Sequence, residues 1–185
     1  AYQHLAALLA ESRFDQAVVG VELDNYYYSA ASHIHLLAGL PQAHIVDATG
    51  LINWQRTIKS EQELVYMRRA ARIVEKMHDR ILELIEPGMR KNDLVAEVYH
   101  TSIAGTEEFG GDYPAIVPLM PTGVDASAAH ITWDDKPFKS GEGTFFEIAG
   151  VHRRYHVPLC RSVFLGDPPK KMVDAEKALV EGLEA

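Results

Sequence analysis

The hydrophobic residues in the first third of the chain alternate between helical and strand-like spacing. Leucines repeat at helical spacing within 5–9, and a short apolar run at 17–21 predicts a buried strand. A mixed aromatic and aliphatic segment over 26–37 predicts a second helix, and the run 43–47 a second strand. The order helix, strand, helix, strand favours an α/β fold with a mostly parallel sheet.

The clearest local pattern begins at Ser60. Ser60-Glu61-Gln62-Glu63 has the spacing of a capping box, in which Ser60 and Glu63 each bond the backbone amide of the other. Glu86-Pro87-Gly88 ends the helix that follows, and a second helix is predicted over about 91–99. One apolar stripe runs along the first of these helices and predicts core packing: Leu64, Met67, Ala71, Val74, Met77, Ile81 and Ile85.

The pattern changes to short β-type runs after residue 109. The runs 116–120, 144–149 and 161–165 predict strands, and the turn between the last two is expected at 150–153, which makes an antiparallel hairpin. Helical spacing returns over 172–183.

Composition and charge narrow the classes of function. The 185 residues are 47% hydrophobic and 24% charged, which is ordinary for a globular protein. A formal net charge of −8 argues against nucleic acid or an anionic membrane as partner. No apolar run approaches the ~20 residues of a membrane span, and the first residues do not resemble a signal peptide. The single cysteine, Cys160, excludes an internal disulfide framework, so we expect a cytoplasmic protein with Cys160 as a small buried hydrophobe.

Polar chemistry collects in two segments. His130 precedes an aromatic residue and two carboxylates, a composition that suits a general acid–base. Glu147 lies within an otherwise apolar strand and therefore needs a cavity, a partner charge or a metal. The plainer alternative for Glu147 is an ion pair with Arg153, Arg154 or Arg161.

The spacing His152-x-x-x-His156 is that of a helical metal pair. A strand and turn do not bring these two rings to one face, so we do not predict zinc at this pair.

The order of these motifs resembles the pita-bread family of creatinase, prolidase and methionine aminopeptidase. The capped helix and Ile85-Glu86-Pro87-Gly88-Met89 are similar to the first helices of that fold. His130 stands where the family carries a histidine, and the strand of Glu147 matches one that supplies an Asp ligand. The resemblance implies an α/β pita-bread fold: residues 56–185 form its first half, and residues 1–55 form the end of a smaller α/β N-terminal domain.

Two departures from the family pattern bear on metal binding. Glu147 replaces the first metal-binding Asp, and Pro158, which has no ligand atom, stands at the second. Two-metal centres need bridging carboxylates. The resemblance is strongest to the ectoine hydrolase branch, so we expect no cofactor, and the alternative is a site for two divalent Mn, Zn or Co ions.

The resemblance implies a hydrolase that opens a non-peptide C–N bond in a small, nitrogen-rich substrate such as a cyclic amidine. His130 is the expected general acid–base, while Glu147 orients water, attacks carbon or pairs with a cationic substrate. Trp133 and Tyr155 are expected to contact substrate through their rings. His156 is expected to bind a substrate carboxylate or to orient another group. Arg161 is expected to be structural and to form ion pairs with neighbouring carboxylates.

Other activities of the same fold remain alternatives. They are a metal-dependent Xaa-Pro dipeptidase or aminopeptidase, a non-catalytic binding module, and a lyase acting on a sulfonium solute. The resemblance also implies that the family's remaining ligands follow Ala185 and that the protein is a homodimer, so this chain alone is expected to be inactive.

Overall fold

The computed structural model describes residues 1–185 as two compact units. The first unit is Ala1–Lys59 and the second is Ser60–Ala185. None of their helices is both long enough and apolar enough to cross a lipid bilayer.

The first unit contains a two-stranded parallel sheet and three helices. Val18 of one strand lies opposite His44 of the other, which confirms the predicted order and the parallel pairing. Its small core is formed by Ala6, Leu36 and Leu40. The elements are α1 (Tyr2–Glu11), β1 (Val18–Val21), α2 (Ala30–Gly39), β2 (His44–Asp47) and α3 (Leu51–Gln55).

The second helix of this unit begins later than its composition predicted. The Ser29 hydroxyl accepts a bond from the Ser32 amide at 3.2 Å and so caps α2. The preceding tyrosines belong to a turn, because the Asn25 side chain accepts a bond from the Tyr27 amide.

The second unit packs two helices against a long hairpin. Both bonds of the capping box are present: the Ser60 amide donates to Glu63 at 2.7 Å, and the Glu63 amide donates to the Ser60 hydroxyl at 3.4 Å. The elements are α4 (Glu61–Leu84), α5 (Lys91–Ala104), a 3-10 helix (Gly123–Ser127), β3 (Gly143–His152), β4 (Tyr155–Phe164) and α6 (Lys170–Glu184).

One face of the hairpin and the inner sides of α4 and α5 enclose the main core. Helix α4 lies so close to β3 that a Cβ on Gly150 would stand 2.2 Å from the Ala70 carbonyl oxygen, so glycine is required there. The fully buried members of this core include Ile73, Val74, Met77, Ile81, Leu94, Val98, Met120, Phe138, Phe146 and Ile148.

The hairpin turn is two residues long, and the prediction of a turn at 150–153 was wrong. β3 continues to His152, and the turn is Arg153–Arg154, with φ values of 52° and 66°. Two-residue hairpins with both central residues in the left-handed region match the twist of the strands. Arginine rarely adopts this conformation, so the sequence carried no turn signal. Contacts of Arg154 with the Asp112 carboxylate and with the Tyr113 ring hold the turn.

The segment predicted as a strand at 116–120 is not a regular strand. Only Leu119 forms a bridge, to Glu147, and Thr122 forms another, to Thr144. Pro118 and Pro121 lack the backbone N–H that a continuous ladder requires, which explains the interruption.

Candidate active site

The register of the hairpin gives its two faces different roles. Glu147 pairs with Cys160, and Ala149 with Pro158. Since alternate residues of a strand point to opposite faces, these four side chains share one face, which we call the open face. The neighbouring positions Phe146, Ile148, Val157 and Leu159 point to the core instead.

The backbone of Glu147 is bonded to the segment that contains Leu119. Glu147 and Leu119 exchange two backbone hydrogen bonds of 3.0 Å, while Cys160 lies opposite on β4. The side chain, however, emerges on the open face with 28% of its area exposed. A carboxylate can stay charged in such a position because water or a ligand reaches it.

His130 is brought to Glu147 by a loop that follows the 3-10 helix. Its Nε2 lies 3.6 Å from Glu147 Oε2, which is within ion-pair range and too long for a direct hydrogen bond. The imidazole is 71% exposed and forms no hydrogen bond within the chain. The two residues predicted to be catalytic therefore face each other within ion-pair range, and solvent reaches both side chains.

The arginine alternative for Glu147 was wrong. Arg153 and Arg154 form the turn at the end of the hairpin, away from Glu147. Arg161 lies on β4 opposite Phe146, and its guanidinium donates to the Cys160 carbonyl at 2.8 Å. The expected ties of Arg161 to neighbouring carboxylates are not formed.

Cys160 is exposed beside Glu147, so the prediction of a buried cysteine was wrong. Partial burial of the thiol and the negative charge of Glu147 raise the pKa of Cys160, while Arg161 acts in the opposite direction. The alternation of side chains along the two strands predicts that Cys160 lies on the face of Glu147, but only when the turn is placed at Arg153–Arg154.

His156 is occupied by backbone groups. Its Nε2 accepts a bond from the Ala115 amide at 3.0 Å, and its Nδ1 lies 3.0 Å from the Arg154 carbonyl oxygen. It shares the face of Glu147 but stands four residues along β4 from Cys160, about 13 Å away. Neither ring nitrogen is free for a substrate carboxylate in this conformation.

Tyr155 lies on the side of the hairpin that meets α4. Its hydroxyl donates to Glu63 at 2.8 Å, and its ring packs against Tyr66 with centroids 5.5 Å apart. Tyr155 therefore does not line the open face beside Glu147, and its expected contact with substrate stays a prediction. Phe146, the aromatic residue next to Glu147 on β3, is fully buried in the core.

Trp133 is half-buried against the main core. Its indole meets the edge of Tyr99 at 6.5 Å between centroids, with the ring planes 78° apart. The structure thus assigns Trp133 to the attachment of the His130 loop, and only His130 and Glu147 of the predicted site are brought together.

His152 is buried on the side of the hairpin away from His156. Its Nδ1 lies 3.1 Å from the Gly110 carbonyl oxygen, and its Nε2 lies 3.4 Å from Arg69. Because Val151 pairs with His156 and His152 with Tyr155, the two histidines point to opposite faces, as strand geometry predicts.

Taken by themselves, the side chains of this chain do not make up a two-metal centre. Pro158 shares the open face with Glu147 and offers no ligand atom. His, Cys, Asp and Glu side chains form no group of three or more with the arrangement of a metal site. A pair of bridged ions needs more carboxylates than Glu147 supplies.

Residues 65–185 match the model of metallopeptidase family M24. The chain belongs to this family. Ectoine hydrolase of Halomonas elongata is 56% identical over 182 residues, covering 96% of this chain and 46% of that protein. An uncharacterized hydrolase/peptidase of Sinorhizobium fredii is 37% identical over 184 residues, which cover 100% of this chain and 47% of that protein. The M24 chain therefore spans about half the length of the curated relatives it matches.

Solved M24-type structures share its fold. Prolidase from Thermococcus sibiricus superposes with a TM-score of 0.82 at 19% identity, covering 99% of this chain and 48% of that one. Prolidase from Pyrococcus furiosus gives 0.79 at 18% identity, covering 98% of this chain and 50% of that one. These matches confirm the expected mixed α/β pita-bread fold.

Proposed function

We propose that this M24 chain carries the acid–base pair of a hydrolase that opens a non-peptide C–N bond in a small cyclic amidine resembling ectoine. The observation that carries the proposal is the opposition of His130 and Glu147 on the open face. Identity of 56% to an ectoine hydrolase supports the substrate class.

His130 moves the proton in this reaction. The neutral imidazole takes a proton from water as the water oxygen attacks the amidine carbon, and it returns a proton to the ring nitrogen as the C–N bond breaks. Its exposure and its lack of hydrogen bonds within the chain support this role, since the Nε2 atom is free to meet water.

Glu147 acts on the cationic amidinium. Its carboxylate pairs with the cation or orients the water; alternatively, it attacks the amidine carbon and forms a covalent intermediate. Rapid quenching followed by mass spectrometry separates these roles. A substrate-derived adduct on Glu147 identifies the nucleophile, and no adduct under turnover supports ion pairing or water orientation.

We propose that the reaction needs no metal, and Pro158 supports this choice. The rival is a metal-dependent Xaa-Pro dipeptidase with two divalent ions, which the structural likeness to prolidases favours. Elemental analysis of the active full-length gene product distinguishes them. Near-stoichiometric Mn, Zn, Co or Fe, with activity abolished by a chelator, would overturn the metal-free proposal.

The test of function compares His130→Ala with wild type in the full-length gene product. Substrates are ectoine, creatine and an Xaa-Pro dipeptide. We expect ectoine turnover by wild type and a loss of ~10²–10⁴ in His130→Ala, the usual range for a general acid–base. His100→Ala, a change on the exposed side of α5, is the matched control and keeps full activity.

Three outcomes contradict the proposal. Wild-type turnover by His130→Ala ends the acid–base assignment. Dipeptide hydrolysis that depends on added Mn favours the dipeptidase, and no turnover of any C–N substrate favours a binding module.

We further propose that residues 56–185 form the first half of a pita-bread catalytic domain, and that residues 1–55 end a creatinase-type N-terminal domain. The whole protein is proposed to act as a homodimer in the cytoplasm. Light scattering of the full-length gene product at twice the monomer mass supports the dimer, and a monomeric mass refutes it.

A further inference from the structure

Lys91 is a buried cation close to the candidate site. Only 7% of Lys91 is exposed, and no other lysine or arginine of the chain is buried. Its Nζ lies 2.9 Å from Asp134 Oδ1. A buried ammonium without a partner is strongly unfavourable, so Asp134 is required where it stands.

Asp134 belongs to the same loop as His130. Its Oδ1 also accepts a bond from the Lys136 amide at 3.0 Å, which fixes the carboxylate to its own loop. The hydrogen bond from Lys91, together with the Lys136 contacts and the Lys91 charge, outweighs partial burial and holds the pKa of Asp134 below its usual value. Asp134 is therefore charged at neutral pH and joins the loop to the start of α5.

The far end of the loop is fixed to the same place. The Lys91 amide donates to the Lys136 carbonyl at 3.2 Å, and Arg90 forms a β-bridge with Pro137. Trp133 adds an apolar attachment through Tyr99. In contrast, His130 itself has no attachment beyond its 3.6 Å contact with Glu147.

We propose that Lys91 and Asp134 are positioning residues, whose ion pair holds the loop 128–135 on α5 and thereby keeps His130 opposite Glu147. This inference rests on the proposed acid–base function of His130. His130 has a φ of 61°, in a region that residues other than glycine seldom occupy, so the loop needs fixed neighbours to keep this conformation. A displacement of about 1 Å in such a group lowers turnover by up to about a hundredfold.

The experiment uses Lys91→Met, Asp134→Asn and the double variant in the full-length gene product. With ectoine as substrate, we expect kcat to fall about tenfold to a hundredfold in each single variant. KM is expected to change less than about threefold, since the groups do not touch substrate. The double variant should be no slower than the slower single variant, because the two side chains act as a pair.

Two controls are matched to these changes. Asp135→Asn removes the adjacent exposed carboxylate, and Lys136→Met removes a lysine that is 73% exposed and 3.4 Å from Asp134. Both are expected to keep kcat within about twofold, as exposed pairs of this kind contribute little.

Hydrogen exchange measured by mass spectrometry gives a readout that does not depend on turnover. The loop peptides over 128–135 should exchange faster in Lys91→Met and Asp134→Asn, while α4 and the hairpin stay at wild-type protection. Faster exchange throughout the second unit would mean a merely structural role and would overturn the inference. Asp134→Asn keeps an oxygen for Lys91, so it remains informative if Lys91→Met does not fold.

The remaining outcomes separate this inference from the proposed function. Normal kcat with a loosened loop refutes positioning by the ion pair and leaves His130 catalysis intact. If wild type turns over no C–N substrate, the proposed function fails. Exchange over 128–135 then still decides whether the pair holds the loop, and unchanged exchange there refutes it.

Discussion

The tip of the β3–β4 hairpin and the open face at its middle both have a histidine beside other polar groups, but these groups are hydrogen-bonded at the tip and not on the open face. At the tip, His152 and His156 have both ring nitrogens near hydrogen-bonding groups, and Tyr155 donates to Glu63. In the middle, Glu147 and His130 face each other at 3.6 Å with no hydrogen bond between them. Residue type alone therefore does not separate the structural histidines from the candidate catalytic one.

The difference lies in what each polar group already contacts. A buried polar group without a partner is costly, so the groups at the tip are satisfied within the chain. On the open face, water meets that need, and a ligand replaces water without breaking the fold. We therefore expect substitutions on the open face to change activity strongly and substitutions at the tip to change stability.

The largest effect is expected for Glu147→Gln in the full-length gene product. The amide keeps the size of the side chain but removes the charge that the amidinium requires. We expect ectoine turnover to fall at least about a hundredfold, the scale of lost electrostatic or nucleophilic catalysis. Steady-state kinetics measure this, and Glu108→Gln, in an exposed loop, is the control with normal turnover. Full activity in Glu147→Gln would remove the open face from the mechanism.

Next in size is the loss of stability in His152→Phe. The new ring fills the space but leaves the Gly110 carbonyl and Arg69 without their contacts to His152. We expect unfolding free energy to fall by about 2 kcal/mol, measured by denaturant titration. Turnover below the melting temperature should stay near normal. A stable but inactive variant would place the chemistry at the tip and contradict the comparison.

A smaller effect is expected for Tyr155→Phe. It removes only the hydroxyl that donates to Glu63, which corresponds to about 1 kcal/mol of stability. Tyr113→Phe is the matched control, since Tyr113 is 69% exposed, and it should unfold like wild type. If Tyr155→Phe lowers turnover at unchanged stability, the expected contact with substrate regains support.

The smallest effect concerns the thiol beside Glu147. Partial burial raises the pKa of Cys160 and the Glu147 carboxylate adds to this, so Glu147→Gln lowers that pKa and increases the thiolate fraction at a fixed pH below it. Iodoacetamide should therefore modify Cys160 faster in Glu147→Gln than in wild type at pH 8. Equal or slower modification would show that the two side chains do not share the open face in solution.

The sequence predicted structural features correctly where they depend on residues close together in the chain. The capping box at Ser60 and Glu63 depends on residues three apart, and the apolar stripe of α4 on residues three or four apart. The sequence also suggested His130 and Glu147 as candidates, because His130 matches a family histidine and Glu147 is an isolated carboxylate in an apolar strand, and their catalytic roles stay a prediction.

The remaining features required contacts between distant residues. The position of the turn at Arg153–Arg154 sets the register of the two strands. A shift of this register by one residue would move every side chain of a strand to the other face. The position of the turn depends on contacts of Arg154 with Asp112 and Tyr113, which lie 42 and 41 residues earlier in the chain. The exposure of Cys160 and the orientation of Tyr155 follow from it.

The amino-acid sequence alone thus indicated the order of helices and strands and the presence of a hairpin, because these depend on local spacing and on residue type. Only the tertiary structure decided which polar groups are satisfied and which remain available. Lys91 and Asp134, 43 positions apart, meet only after α5 and the loop pack together. No local pattern encodes such a pair, since its free energy depends on burial that both segments create jointly.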